Sequence, residues 1–191
     1  MKIKEKDEKE NIVIKKNLTM QDKVRNFFKD LVPYVIIIFV VAIIRTFFIT
    51  PVRVQGTSMD PYLKHGEILF LNKTKDNYKR FDIIVADAAN TKVIKRVIGL
   101  PGENIEYKDC KLYINGKVKK DFVTECITDD FTLEELYGYV VIPKDYYFVM
   151  GDNRNESSDS RDYRIGLISK EKIQGEAVFR LTPFSRFGVL K

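Results

Sequence analysis

Three rhythms of hydrophobic and polar positions divide the chain. Residues 1–24 are rich in Lys and Glu, with one apolar patch at Ile12-Val13-Ile14, and read as a mobile or loosely helical tail. From Leu31 to Ile44 the stretch LVPYVIIIFVVAII carries no charge, and Arg45 then precedes Thr46-Phe47-Phe48-Ile49. Those 14 uncharged residues alone would suit a buried core helix. Continued to Thr50 the stretch has 20 residues, about 30 Å of helix, which crosses the hydrocarbon of a bilayer. No polar face interrupts Val35 to Ile44, and this favours the spanning reading. Arg45 then lies near one end, where its long side chain reaches the headgroups.

After Pro51 the rhythm shortens to β-branched or aromatic runs separated by turns. Val52–Gln55, Glu67–Leu71, Asp82–Ala86, Val93–Ile98, Asn104–Tyr107, Lys111–Ile114 and Tyr146–Met150 read as strands. Asn115-Gly116, between Leu112-Tyr113-Ile114 and Lys117-Val118, is a type I′ hairpin signal. Pro101-Gly102 suits the centre of a type II turn, and only Thr132–Leu136 hints at a helical turn. The pattern predicts a mainly β fold, a folded antiparallel sheet or barrel-like domain over residues 51–191. A small β insertion is expected around 104–142. In front stand a tail over 1–30 and one transmembrane helix over 31–50.

Composition narrows this picture. At 191 residues the chain holds one ordinary domain plus an appendage, and 45% hydrophobic residues exclude wholesale disorder. Residues 1–30 carry nine Lys or Arg against six Asp or Glu, and Arg45 adds one charge. Of the net +6, therefore, only +2 falls on residues 51–191. A nucleic-acid reader concentrates positive charge on its folded domain, so the balance favours a membrane surface over DNA or RNA. Lys15, Lys16, Lys23, Arg25 and Lys29 precede the span, which puts the N-terminus in the cytoplasm and 51–191 outside. Phe47-Phe48-Ile49-Thr50-Pro51 offers no small-x-small cleavage pattern, so the span reads as a retained anchor. Cys110 and Cys126 stand 16 residues apart. An exported domain allows a bridge between them, but spacing does not decide it. Neither cysteine sits in metal-ligand spacing, and no metal or cofactor is expected.

Candidate chemistry begins at Gly56-Thr57-Ser58-Met59-Asp60-Pro61. Gly56 allows a sharp turn and Pro61 stops the run continuing as sheet, so Ser58 can be held exposed as a nucleophile. A plain serine-containing turn is the bland alternative. Serine needs a base, and the one histidine, His65, lies in Lys64-His65-Gly66, which reads as a solvated turn. In Val93-Ile94-Lys95-Arg96-Val97-Ile98, Lys95 shares a face with Val93 and Val97, and Arg96 with Ile94 and Ile98. Both faces are partly apolar, so at least one cation lies near buried surface. Burial lowers a lysine pKa and frees a neutral amine to act as base. Periodicity alone leaves a lysine that snorkels to water equally open. The third segment, Gly151-Asp152-Asn153-Arg154-Asn155-Glu156-Ser157-Ser158-Asp159-Ser160-Arg161, lacks the central Gly of a calcium loop. It reads either as a solvated turn or as a hydrogen-bonded support for the base.

Together these segments resemble the lysine-dependent type I signal peptidases of bacteria. The resemblance runs from the span to Gly175 and rests on SMDP at Ser58–Pro61, KRVIGLPGE at Lys95–Glu103 and GDNRNESSDSR at Gly151–Arg161. It implies that Ser58 attacks the scissile carbonyl and that Lys95 is general base, later protonating the leaving amine. It further implies that Ser157 orients the lysine, that Asp159 and Arg161 brace the site, and that Asp152 is structural support. The implied substrates are exported preproteins, with small residues at the third and first positions before the cut. The family often has Pro-Thr-Leu and Gly-Asp where this chain has Pro61-Tyr62-Leu63 and Gly102-Glu103. Gly56 stands where some members place a serine that helps bind the oxyanion, so backbone donors, the Ser58 N–H first, would serve here. Met59 and Phe48 are expected beside the membrane interface.

Three other classes fit less well. A soluble self-cleaving repressor of the LexA type shares the Ser–Lys pair but carries a DNA-binding domain in place of an apolar span. A membrane-tethered binding protein with a degenerate site would be expected to lose Ser58 or Lys95. A sortase-like transpeptidase needs a reactive cysteine with His and Arg, and neither cysteine has that setting.

Overall fold

Lys and Glu are good helix formers, and they make up seven of the first ten residues. The computed structural model describes residues 2–47 and 49–190. It divides the chain into a helical unit ending at Thr46 and a β unit starting at Phe47. A single helix, α1, runs Lys2–Phe47 through both the polar tail and the apolar stretch. From Lys2 onward the tail backbone is therefore helical. Asp22–Ile43 is long and apolar enough to cross a membrane and buries nothing within the chain. The far end of the expected span needs correction, because Ile49 and Thr50 belong to a strand. Pro51 disfavours helical backbone in the residue before it. Phe48 and the Arg45 side chain lie outside the described residues, and so do the expectations attached to them.

The β unit is antiparallel in all its described pairings. Its elements are β1 (Ile49–Arg53), β2 (Ile68–Asn72), β3 (Ile83–Ala88), β4 (Thr91–Gly99), β5 (Ile105–Lys108), β6 (Lys111–Ile114), β7 (Lys117–Lys119) and β8 (Phe131–Thr132). The short helix α2 (Leu133–Tyr137) follows, then β9 (Tyr146–Met150), β10 (Ile168–Ser169), β11 (Ile173–Thr182) and β12 (Gly188–Val189). One sheet runs β1-β2-β11-β3-β4-β9-β10, with β12 paired to β11. A second, four-stranded sheet runs β7-β6-β5-β8. Asn115 and Gly116, both at positive φ (51° and 72°), join β6 to β7, as a type I′ turn requires. Thr132 caps α2, reciprocally with Glu135.

Four strands go beyond the sequence expectation: β8, β10, β11 and β12. β11 is the longest strand, yet register shifts at Ile173/Gly175, Ala177/Phe179 and Arg180/Thr182 break its alternation. It joins β2 to β3 and so lies in the interior of the sheet. β4 lies between β3 and β9, and its residues Lys95 to Gly99 are buried on both faces. Cys110 and Cys126 form a disulfide with Cα atoms 5.0 Å apart, tying the β5–β6 turn to the segment between β7 and β8.

Candidate active site

Behind β1 the chain turns at Gly56, whose φ of 84° suits glycine best. The Gly56 N–H donates to His65 Nδ1 at 3.1 Å. His65 therefore holds the turn two residues before Ser58, a role that nothing local in Lys64-His65-Gly66 signalled. Asp60 N–H donates to Thr57 O and Leu63 N–H to Met59 O, which closes the segment into a compact turn. Met59 is 1% exposed and packs with Leu63, Leu69, Leu71 and Ile83. The expectation that Met59 reaches a membrane interface is corrected, because its side chain fills the core and thereby pins Ser58.

Ser58 is half-buried at the end of this turn. Lys95 reaches it from β4 with Nζ hydrogen-bonded to Ser58 Oγ at 2.7 Å. Lys95 is 4% exposed. Burial pushes its pKa down to about 8, opposed by the negative charge of Asp159 and assisted by Arg161. Asp159 and Asp152 act on it through their charge, and its hydrogen bond goes to the serine. At mildly basic pH the pair is a neutral amine beside a hydroxyl, the arrangement a general base and its nucleophile need.

Arg96, one residue on, faces the other way and is fully buried. Its guanidinium grips Asp152 through Nε and Nη2 at 2.8 and 2.7 Å and donates to Phe81 O at 2.9 Å. The Phe122 ring lies 3.4 Å from it and the Tyr62 ring 4.8 Å. Asp152 therefore supports β4 rather than touching Lys95.

The loop after β9 packs directly on the Ser58 turn. A Cβ on Gly151 would stand 2.2 Å from Ser157 Oγ and 2.3 Å from Ser58 O, so only glycine fits between them. Asn153 donates through its N–H to Ser58 O (3.1 Å) and through Nδ2 to Thr57 O (3.2 Å). Asp159, fully buried, accepts from Gly151 N–H at 2.9 Å and from Arg161 Nε and Nη2 at 2.9 Å each. Arg161 also donates to Arg154 O, while Tyr137 at the end of α2 donates to Ser160 O. Ser157 is brought beside Gly151, but its buried Oγ has no hydrogen-bond partner. The structure therefore brings Ser58 and Lys95 into direct contact after the Gly56 turn. It sets the bonded Asp159 and Arg161 on the Gly151 loop that packs against Ser58, and places Asp152 on Arg96 behind them. Ser157 is near but unbonded.

Asn153 and Arg154 belong to the loop motif, yet their partners are distant in sequence. Arg154 is buried and holds Asp121 at 2.7 and 3.0 Å and Thr128 at 3.1 Å. A cavity of about 680 Å³ opens over Ser58 and Lys95, walled by Val52, Val85, Ile94 and Ile165. Among the described residues no group of three or more His, Cys, Asp or Glu is placed to hold a metal ion.

Residues 25–182 match the family model of signal peptidase, peptidase S26. The chain is 43% identical over 161 residues to signal peptidase I P of Bacillus subtilis subsp. natto, covering 79% of this chain and 86% of that protein. It is 42% identical over 162 residues to signal peptidase I T of Bacillus subtilis strain 168, covering 79% and 83%. A solved signal peptidase I from Enterococcus faecalis is 38% identical. That match covers 52% of this chain and 96% of the solved one, with a TM-score of 0.48.

Proposed function

Because the chain belongs to the signal peptidase family, peptidase S26, and is a serine peptidase, we propose that it removes signal peptides from exported preproteins with Ser58 as nucleophile and Lys95 as base. The observation that carries this reading is the 2.7 Å contact between a hydroxyl and a buried amine whose pKa is lowered to about 8. Neutral Lys95 takes the Ser58 proton as Oγ attacks the carbonyl carbon. The resulting oxyanion is met by backbone donors, the Ser58 N–H first among them. The ammonium then protonates the departing amine, the C–N bond breaks, and an ester to Ser58 remains. Water, deprotonated by the same amine, hydrolyses that ester. Asp159 and Arg161 brace the loop around this pair. Ser157, whose buried hydroxyl lacks a partner, turns to the lysine amine and orients it.

The Val52, Val85 and Ile94 walls of the adjoining cavity suit short side chains. This supports substrates with small residues at the third and first positions before the cut. Membrane attachment through α1 rests on Asp22–Ile43. Lys15, Lys16, Lys23, Arg25 and Lys29 on its N-terminal side favour a cytoplasmic tail and an extracytoplasmic catalytic unit. Ser58 follows the last residue of α1, Phe47, by only 11 residues, which suits cleavage just outside the bilayer. The test is turnover of a preprotein by the purified full-length chain beside Ser58→Ala. The variant is expected to lose at least about a thousandfold in kcat. Near-normal cleavage by Ser58→Ala would remove Ser58 from the mechanism.

A further inference from the structure

Two cavities of similar size flank the Ser58 turn. The first is lined by Ser58 and Lys95. The second, about 650 Å³, begins two residues later, between the Asp60-Pro61-Tyr62 turn, the Asp152–Asn155 loop and the segment Phe122 to Ile127. The divide between them is the Thr57–Ser58 main chain, whose carbonyls are both bonded by Asn153. A peptide bond cut at Ser58 has chain on both sides. If one side fills the first cavity, the other must leave across this divide. An extended chain advances about 3.3–3.6 Å per residue, so a short segment after the cut is enough to cross one turn of main chain.

The lining suits a peptide. Asp60 Oδ1 is buried without a hydrogen-bond partner, an acceptor left for a main-chain N–H. Asp152 is already paired with Arg96, and Arg186 shares the Glu67 carboxylate with Arg180. Pro61, Tyr62, Phe122 and Val123 supply apolar and aromatic surface. The outer wall is also held in shape beforehand. Asp121 and Thr128 are bound to Arg154, Phe122 lies on Arg96, and the Cys110–Cys126 bridge ties the segment down.

We propose that this second cavity receives the substrate segment that follows the scissile bond, with Asp60 Oδ1 accepting one of its backbone N–H groups. The proposal rests on Ser58 being the nucleophile. Its test uses the full-length chain and two synthetic peptides with the same signal portion. One ends directly after the first residue beyond the cut, and the other continues several residues further. The wild-type chain should show a higher kcat/KM on the longer peptide. Thr124→Trp, which fills the cavity from its exposed wall, should reduce the long-to-short ratio by about tenfold. Asp60→Ala should reduce it in the same direction. Val118→Trp, on exposed β7, should keep the wild-type ratio. An unchanged ratio in Thr124→Trp and Asp60→Ala, each with wild-type thermal stability, overturns the proposal. Should Thr124→Trp fail to fold, Asp60→Ala alone decides it. Cleavage of both peptides by Ser58→Ala would instead overturn the reading beneath it.

Discussion

Lys95 and Arg96 are neighbours on one strand, point to opposite faces and are almost equally buried, at 4% and 0% exposure. They meet opposite surroundings. Arg96 is gripped by the Asp152 carboxylate and covered by an aromatic ring. Lys95 is given a neutral hydroxyl, and its nearest carboxylates act only through their charge. Burial without a bonded counter-charge favours the neutral amine. The same strand thus carries a permanent cation that holds structure and a titratable one with a lone pair to use. The difference lies in the partners, not in the depth.

The contrast predicts different failures for the two sides. Lys95→Met should leave the fold intact and lower kcat on a preprotein by at least about a thousandfold. Turnover within a factor of a few of wild type would show that the neutral amine is not the base. Asp152→Ala strands the buried Arg96 charge and should cost about 3–5 kcal/mol in denaturant unfolding of the β unit. The double variant Arg96→Met, Asp152→Leu should recover much of that loss, because no buried charge is then left alone. A single-site loss below about 1 kcal/mol would mean that Arg96 behaves as a surface ion pair and that the two cations do not differ as described.

The smallest effect is in pH. Lys95 titrates at about 8 in the fold and near the ordinary lysine value of 10.5 when unfolded. Between those values the unfolded chain binds the proton that the folded chain has released. Stability from this group therefore rises with pH across that window, and is lost as pH falls through about 8. Activity should follow the same direction, with kcat/KM rising through about 8 as the base becomes neutral. A profile flat from about pH 6 to about pH 10 would rule out a titrating lysine as the base.

The segments most legible in the sequence are those whose cause is local. The uncharged run ahead of Arg45, the Asn115-Gly116 hairpin and the β-branched run around Lys95 each state their element within a few residues. β11 does not, since its bulges spoil the alternation and its place between β2 and β3 depends on strands about a hundred residues earlier in the chain. His65 behaves similarly, because its bond to Gly56 needs both ends of a turn in place. Met59 reads as an apolar residue beside a nucleophile and gives no hint that it faces inward. Cys110 and Cys126 are paired across the segment that walls the second cavity, which their spacing alone left open.

By itself the sequence determined the apolar helix, the mainly β character of residues 51–191, and three short segments with the residue types for serine–lysine chemistry. Those features arise from propensity, periodicity and turn stereochemistry, all acting over a few neighbouring residues. Only the tertiary structure decided that Lys95 Nζ meets Ser58 Oγ across 37 positions of chain, and that Arg96 instead of Lys95 receives Asp152. Alternation puts the two cations on opposite faces but does not say what covers either face. That cover comes from the Ser58 turn on one side and from Asp152, Phe122 and Tyr62 on the other, none of them near β4 in the chain.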